Sequence, residues 1–202
     1  MAELALAPRS AFAGLLPASV PGGGAGVTVV DRDGLGMATV LAGRGRAALL
    51  AARVQERFDI ELPQGPRRAV AGDIAFGGIG PETWLATSET GGNGFAAALR
   101  QTIGDLAAVV DQSDGYAMLR LTGPKLRETL AKGVPLDLHA GVFRPGDIAA
   151  TLVSHMDAIL WRLPDQTDGS SVFEMAVPRS VGRDFWHWLA ESAAEFGIAG
   201  AG

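Results

Sequence analysis

The chain has 202 residues, 48% of them hydrophobic, a formal net charge of −5 and no cysteine. That hydrophobic share supports a sizeable core, and the acidic balance argues against a nucleic-acid partner, which calls for a basic face. Without cysteine there can be no disulfide, thiolate metal site, iron–sulfur cluster or thiol nucleophile, which fits a reducing cytoplasm.

Residues 1–26 are Ala-rich, carry Glu3 and lack a basic start, so they make a poor secretory signal. Pro8, Pro17, Pro21 and Gly22-Gly23-Gly24 read as an extended N-terminal arm of the kind that orders along a partner. No run reaches the roughly 18 apolar residues of a membrane span, so no membrane association is expected. VTVVDR and GMATVL read as two strands, and the DGLG between them predicts a hairpin. In GRGRAALLAARVQERFDI, the spacing of Leu49, Leu50, Val54 and Phe58 predicts a helix, with Arg44, Arg46, Arg53, Glu56 and Arg57 on its wet side. After the loop PQGP, AVAGDIAFGGIG and ETWLAT read as two strands, GNGFAAALRQTIGDL as a helix and AAVVDQS as a strand.

The second half follows a similar order. GYAMLRLTG reads as a strand with Tyr116, Met118 and Arg120 on one face. GPKLRETLAKG reads as a helix with Pro124 in its first turn and Gly133 as its stop. PLDLHAGVFRPGD is a loop, IAATLVSHMDAILWRLP contains two strands, VFEMAVP is another, and RSVGRDFWHWLAESAAEFG is the last helix. GMATVLAGRGRAALLA and GYAMLRLTGPKLRETLA share one plan, and GDI recurs at Gly72 and Gly146. The expected fold is α+β, with two related strand–helix–strand–strand–helix lobes over 27–112 and 113–202, packed as one unit.

The search for chemistry yields little. GRGRAA places Gly43, Gly45 and Ala48 near a dinucleotide fingerprint, but no parallel βαβ unit with a following acid accompanies it. A flexible strand–helix turn explains it better. His139, His155 and His187 fall on a loop, a strand and a helix, with no HxxxH or HExxH pair, so no metal site is expected. There is no GxSxG elbow, and no catalytic residue is assigned. Asp137 beside His139, and His155 with Asp157 on one strand face, are the candidate polar anchors, and a solvated strand or loop is the simpler alternative. In FWHWL, the core stripe is Val181, Phe185, Trp188, Leu189, Ser192 and Phe196, with Ser180 as N-cap. Trp186 and His187 lie about 100° and about 200° from Phe185 around the helix. They are candidates to contact a partner chain or the other half of this one, with a cofactor box as the third possibility.

One family resemblance rests on AAVVDQSDGYAMLRLTGPKLRETLAKGVPLDL, FRPGDIAATLVSHMDAILWRL and FEMAVPRSVGRDFWHWL. These segments resemble the gamma subunit of heterotetrameric sarcosine oxidase, and the likeness runs more loosely through ARVQERFDIELPQGP and WLAT. The same half is similar to the first domain of the glycine-cleavage aminomethyltransferases, with DQSDG, LTGPKL, GDIAATL and MDAILW in the order of that family's motifs. The resemblance implies a folate-binding-type α+β fold, like the N-terminal domain of the aminomethyltransferases. It departs from them where their acidic pair becomes Asp157 followed by Ala158, and where the asparagine before the loop aspartate becomes Leu136 before Asp137. It further implies a non-catalytic structural subunit of a cytoplasmic complex, assembled with alpha, beta and delta subunits. FAD, FMN, NAD and zinc would sit on those other subunits, and this chain alone would bind no cofactor. Such a complex oxidatively demethylates sarcosine to glycine and passes the one-carbon unit to tetrahydrofolate or releases formaldehyde. The alternatives are a folate-binding accessory protein using Asp137, His155 and Asp157, or the equivalent subunit of a related N-methyl amino acid dehydrogenase or oxidase.

Overall fold

The computed structural model describes residues 9–18 and 24–200. Of the expected arm, Glu3, Pro8, Pro21, Gly22 and Gly23 lie outside the described residues. Eleven strands and four α-helices are found among the described residues: β1 (Val27–Asp31), β2 (Gly36–Ala42), α1 (Ala47–Phe58), β3 (Arg68–Ala71), β4 (Ile74–Gly80), β5 (Thr83–Ser88), α2 (Phe95–Ile103), β6 (Ala107–Asp111), β7 (Tyr116–Thr122), α3 (Leu126–Leu130), β8 (Ile148–Val153), β9 (Met156–Leu163), β10 (Val172–Pro178), α4 (Gly182–Ala193) and β11 (Ile198–Gly200). They build two sheets, in the orders β3-β4-β5-β2-β6 and β11-β1-β7-β10-β9-β8.

Strand alternation turns these sheets into layers. On β2, Ala38 and Val40 face α1 and α2, where Leu50, Val54, Leu99 and Ile103 meet them. Met37 faces the other way and joins Leu85, Met118, Ile159, Trp161 and Ala176 in a core between the sheets. On β10, Phe173, Met175 and Val177 face α3 and α4 and pack with Leu126, Leu130, Phe185 and Leu189. The result is helices, sheet, sheet, helices, an α+β architecture as expected. Tyr116 and Met118 contribute to the inter-sheet core, the shared face read from the sequence.

The two lobes are copies of one plan. Strand, helix, three strands, helix and strand occur as β2-α1-β3-β4-β5-α2-β6 and again as β7-α3-β8-β9-β10-α4-β11. The sheet orders agree slot for slot, except that β1 is inserted between β7 and β11. The repeated strand–Gly–helix segments occupy equivalent slots. The two GDI sequences do not, since they open β4 and β8. They share a local turn, with Gly72 at φ 59° and Gly146 at φ 87°, where a side chain would be strained.

Several expectations are corrected. β1 and β2 form no hairpin: β1 pairs antiparallel with β7 and parallel with β11, while β2 pairs with β5 and β6. The physical reason is burial, because Val27 and Val29 fit the α3/α4 side of one sheet, whereas Leu35 inside DGLG is buried between the sheets and carries the chain across. AVAGDIAFGGIG is two strands, β3 and β4. Leu49 is 60% exposed, one position off the buried Leu50–Val54 stripe. Pro124 precedes a one-turn α3 whose cap is Lys125, and α4 is capped at Val181 without a side-chain bond from Ser180.

Candidate functional site

The densest polar cluster lies between the sheets. In the register of the six-stranded sheet, Glu174 on β10 stands opposite Arg120 on β7 and Trp161 on β9. Its side chain is 2% exposed. Trp161 Nε1 donates to it at 2.8 Å, Arg120 Nε and Nη2 at 2.9 and 2.7 Å, and Arg32 Nε, just past β1, at 3.0 Å. Arg32 also pairs with Glu89, which follows β5 in the other sheet. Arg68 on β3 lies over the Trp161 ring at 5.7 Å and donates to Thr87 at 3.3 Å. Burial lowers its proton affinity, and Glu174 and Glu89 oppose that shift. The donors to this buried carboxylate therefore all come from the six-stranded sheet or from the residue after its β1. The five-stranded sheet joins the cluster through Arg68 over Trp161 and Glu89 on Arg32. A charge buried this deeply is tolerable only when its acceptor sites are filled, as they are here. The donors consume the carboxylate as an electrostatic joint.

The candidate anchors are dispersed. Asp137 lies in the loop after α3 and accepts the His139 backbone N–H at 2.9 Å, a local turn contact. His155 is in the two-residue turn between β8 and β9, not on a strand, and its Nδ1 lies 3.1 Å from the Ser154 hydroxyl. It therefore does not share a strand face with Asp157 as expected. Asp157 is exposed on β9 and lines an open groove of about 490 Å³ with Ile79, Tyr116 and Thr151. Burial, and then Asp157, raise the Tyr116 phenol above its ordinary value. Ala158 turns into the core on the helix side, so one carboxylate stands where the aminomethyltransferase-like pattern has two. Among the described residues no group of three or more His, Asp or Glu side chains could hold a metal ion.

FWHWL resolves into distinct environments. Phe185 and Leu189 are fully buried, and Trp188 is half-buried, stacked on Phe185 with centroids 6.1 Å apart. Gly133 makes room for it, because a Cβ there would fall 2.6 Å from the Trp188 ring. Trp186 is half-buried against the same core. The His187 side chain is 75% exposed and meets Glu191 one turn on, at 3.2 Å. The described part of the arm packs on this helix: Phe12 is 1% exposed and sits edge-on to Phe185 at 6.4 Å. The Ser10 hydroxyl donates to Asp31, and Arg179 donates to the Arg9 carbonyl.

The sequence reading missed the Glu174 joint, although a signal existed. LRLT, LWRL and FEMA each set a single charge inside an apolar strand, and a charge in such a setting needs a buried partner.

Comparison with known proteins agrees with the fold. The model of the family described as "Sarcosine oxidase, gamma subunit family" matches residues 43–195. A sarcosine oxidase subunit gamma from Arthrobacter sp. is 30% identical over 80% of this chain and 76% of its own length. Another, from Corynebacterium sp. (strain U-96), is 28% identical over 98% of this chain and 94% of its own. Among solved structures, a chain of the heterotetrameric sarcosine oxidase from Corynebacterium sp. U-96, in complex with pyrrole 2-carboxylate, superposes with a TM-score of 0.78 at 24% identity, covering 96% of this chain and 99% of that one. The glycine cleavage system aminomethyltransferase T from Bartonella henselae superposes with a TM-score of 0.64 at 14% identity, covering 93% of this chain and 53% of that one.

Proposed function

The chain belongs to the sarcosine oxidase gamma subunit family, and from that premise we propose that it acts as the non-catalytic structural subunit of a heterotetrameric sarcosine oxidase. The complex would work in the cytoplasm, and no described helix is long and apolar enough to cross a membrane. It would demethylate sarcosine oxidatively to glycine and hand the one-carbon unit to tetrahydrofolate or release it as formaldehyde. Alpha, beta and delta subunits would be the partners and would carry FAD, FMN, NAD and zinc. The two lobes, divided near residue 112 and with β1 joined to the second, would act as one rigid brace, with Trp186 and His187 contributing to a subunit contact. The observation that supports a bracing role is the cluster at Glu174, where Arg32 bonds the buried Glu174 of one sheet and also pairs with Glu89 beyond β5 of the other. Co-expression of the other subunits with and without this chain tests it. Omission should abolish assembly and sarcosine turnover, while the isolated chain shows neither flavin nor turnover. An oxidase that assembles and turns over fully without the chain would sink the reading.

A second reading, folate handling, draws on Asp157 lining the open groove beside Tyr116. Titration of the purified chain with tetrahydrofolate separates the two, since micromolar binding lost in Asp157→Asn would favour it over the structural role.

A further inference from the structure

β8 is an edge strand without the features that blunt an edge. An outer strand presents a row of unpaired N–H and C=O groups, and native proteins cover that row or interrupt it with charge or proline. The edge at β3 opens with Arg68. On β6, Arg100 Nη2 donates to the Val109 carbonyl at 2.7 Å, and Asp111 closes the strand. β8 reads IAATLV, with neither charge nor proline. Its first residue is covered, since the Ile148 N–H donates to the Pro66 carbonyl at 3.1 Å, away from β9. Antiparallel alternation then turns the N–H and C=O of Ala150 and Leu152 the same way. Among the described residues, no backbone group bonds them there.

The side chains beside this row face a gap between the sheets. Ala150 and Ile79 both line two open grooves, of about 550 and about 490 Å³. Pro66, Pro81, Tyr116 and Ile159 add apolar surface. Leu152 stands opposite Asp157 in the β8–β9 register and is 43% exposed. Asp157 is the one charged residue lining either groove. Together these features select an occupant. Paired N–H and C=O groups two residues apart match another strand, whereas a helix spends its backbone groups internally. The apolar lining calls for apolar side chains, and the Asp157 carboxylate calls for a cation among them.

We propose that β8 is a docking edge for an extended segment of a partner chain. The segment adds a strand to the six-stranded sheet, bonds Ala150 and Leu152, turns apolar side chains toward Ile79 and sets one lysine or arginine toward Asp157. That the partner is another subunit of the oxidase rests on the reading above; the edge itself does not.

The probe is a capped heptapeptide of alternating threonine and valine with lysine at its centre, added to the full chain. Once the peptide exceeds its dissociation constant about tenfold, amide exchange at Ala150 and Leu152 should slow by about tenfold. Thr151, already bonded to β9, should not change. A peptide with glutamate for the lysine should bind about fivefold more weakly. Ala150→Pro removes one outward N–H, spares the β8–β9 ladder and should abolish the effect. If that variant does not fold, the alternation in the wild-type chain decides. Equal slowing at Thr151, no slowing up to the solubility limit of the peptide, or pairing of two copies of the chain through β8 overturns the proposal. The co-expressed complex should show the same alternation. An assembled complex in which Ala150 and Leu152 exchange freely overturns the partner strand and leaves the subunit reading intact. Failure to assemble removes the subunit reading, and the peptide result then decides the edge.

Discussion

The two lobes share one strand and helix order, yet they solve the same packing problem differently. The first lobe fills its strand-to-strand crossover with α1, twelve residues that satisfy their own backbone and bury Leu50 and Val54. The second fills the equivalent slot with α3, five residues long, and a loop whose carbonyls are held by arginine side chains. A helix satisfies its backbone locally and needs the rest of the protein for one apolar face. An irregular segment must borrow donors from elsewhere, so it carries buried charge. The second lobe also gains β1 and the arm segment, which have no counterpart in the first. The same topology therefore gives one lobe that is locally stabilised and one that depends on long-range contacts.

The largest test of this contrast is at the joint between lobes. Glu174→Ala leaves Arg120, Arg32 and Trp161 facing an empty, buried acceptor site and should cost about 3–5 kcal/mol, read by chemical denaturation. Glu174→Gln should recover part of the loss, because one amide oxygen still accepts. If both variants unfold at the wild-type denaturant midpoint, the joint does not couple the sheets.

How much of this was legible in the sequence follows from which interactions are local. α1, α2 and α4 could be read because Leu50 with Val54, Phe95 with Leu99, and Phe185 with Leu189 repeat at helical spacing. The repeat of the two lobes was visible at the strand–Gly–helix segments, where both copies keep the same turn. The pairing of β1 was not, because DGLG is an equally good hairpin turn, and the burial of Leu35 between sheets exists only in three dimensions. The same limit applies to His155. IAATLVSHMDAILWRLP reads as two strands with His155 on one of them, while Ser154 at φ 56° marks the turn that separates His155 from Asp157. For Trp186, periodicity placed it off the core stripe, and it is half-buried along the flank of that core.

The next test removes what only the second lobe has. Phe12→Ala takes a buried ring from its edge-on contact with Phe185 and should cost about 3 kcal/mol. Its signature should be early protease cleavage within residues 9–18, before the strands of the first lobe lose protection. Uniform loss of protection across both lobes would instead make the arm part of a single cooperative core.

A smaller effect compares the two crossover slots. Ala52→Gly, on the exposed face of α1, should cost about 1 kcal/mol from helix propensity alone. Ala131→Gly, just past the end of α3, should cost less than about half of that, because that position makes little use of helical propensity. Equal losses would show that the second slot is helical in solution beyond Leu130.

The finest test concerns the end of the inserted strand. Asp31 is held above the ordinary carboxylate range, chiefly by burial and then against the bond from Ser10, with Asp33 adding to the rise. A carboxyl whose folded value is raised binds its proton more tightly in the folded form. Its contribution therefore favours the folded chain below the ordinary value, and this is lost as pH rises through the raised one. The bond from Ser10 acts the other way, because it favours the ionised carboxyl. Docking of residues 9–18 should therefore weaken as pH falls from neutral toward the ordinary carboxylate range, read as faster amide exchange at Phe12 after correction for the intrinsic rate. Asp31→Asn keeps an acceptor for Ser10 and removes the charge, so it should hold the arm at neutral pH and flatten the dependence. The first lobe, with no arm to dock, supplies the internal reference: exchange at Val40 and Leu85 should not follow the same curve. A shared pH profile at Phe12 and Val40 would assign the effect to global stability and remove Asp31 as its cause.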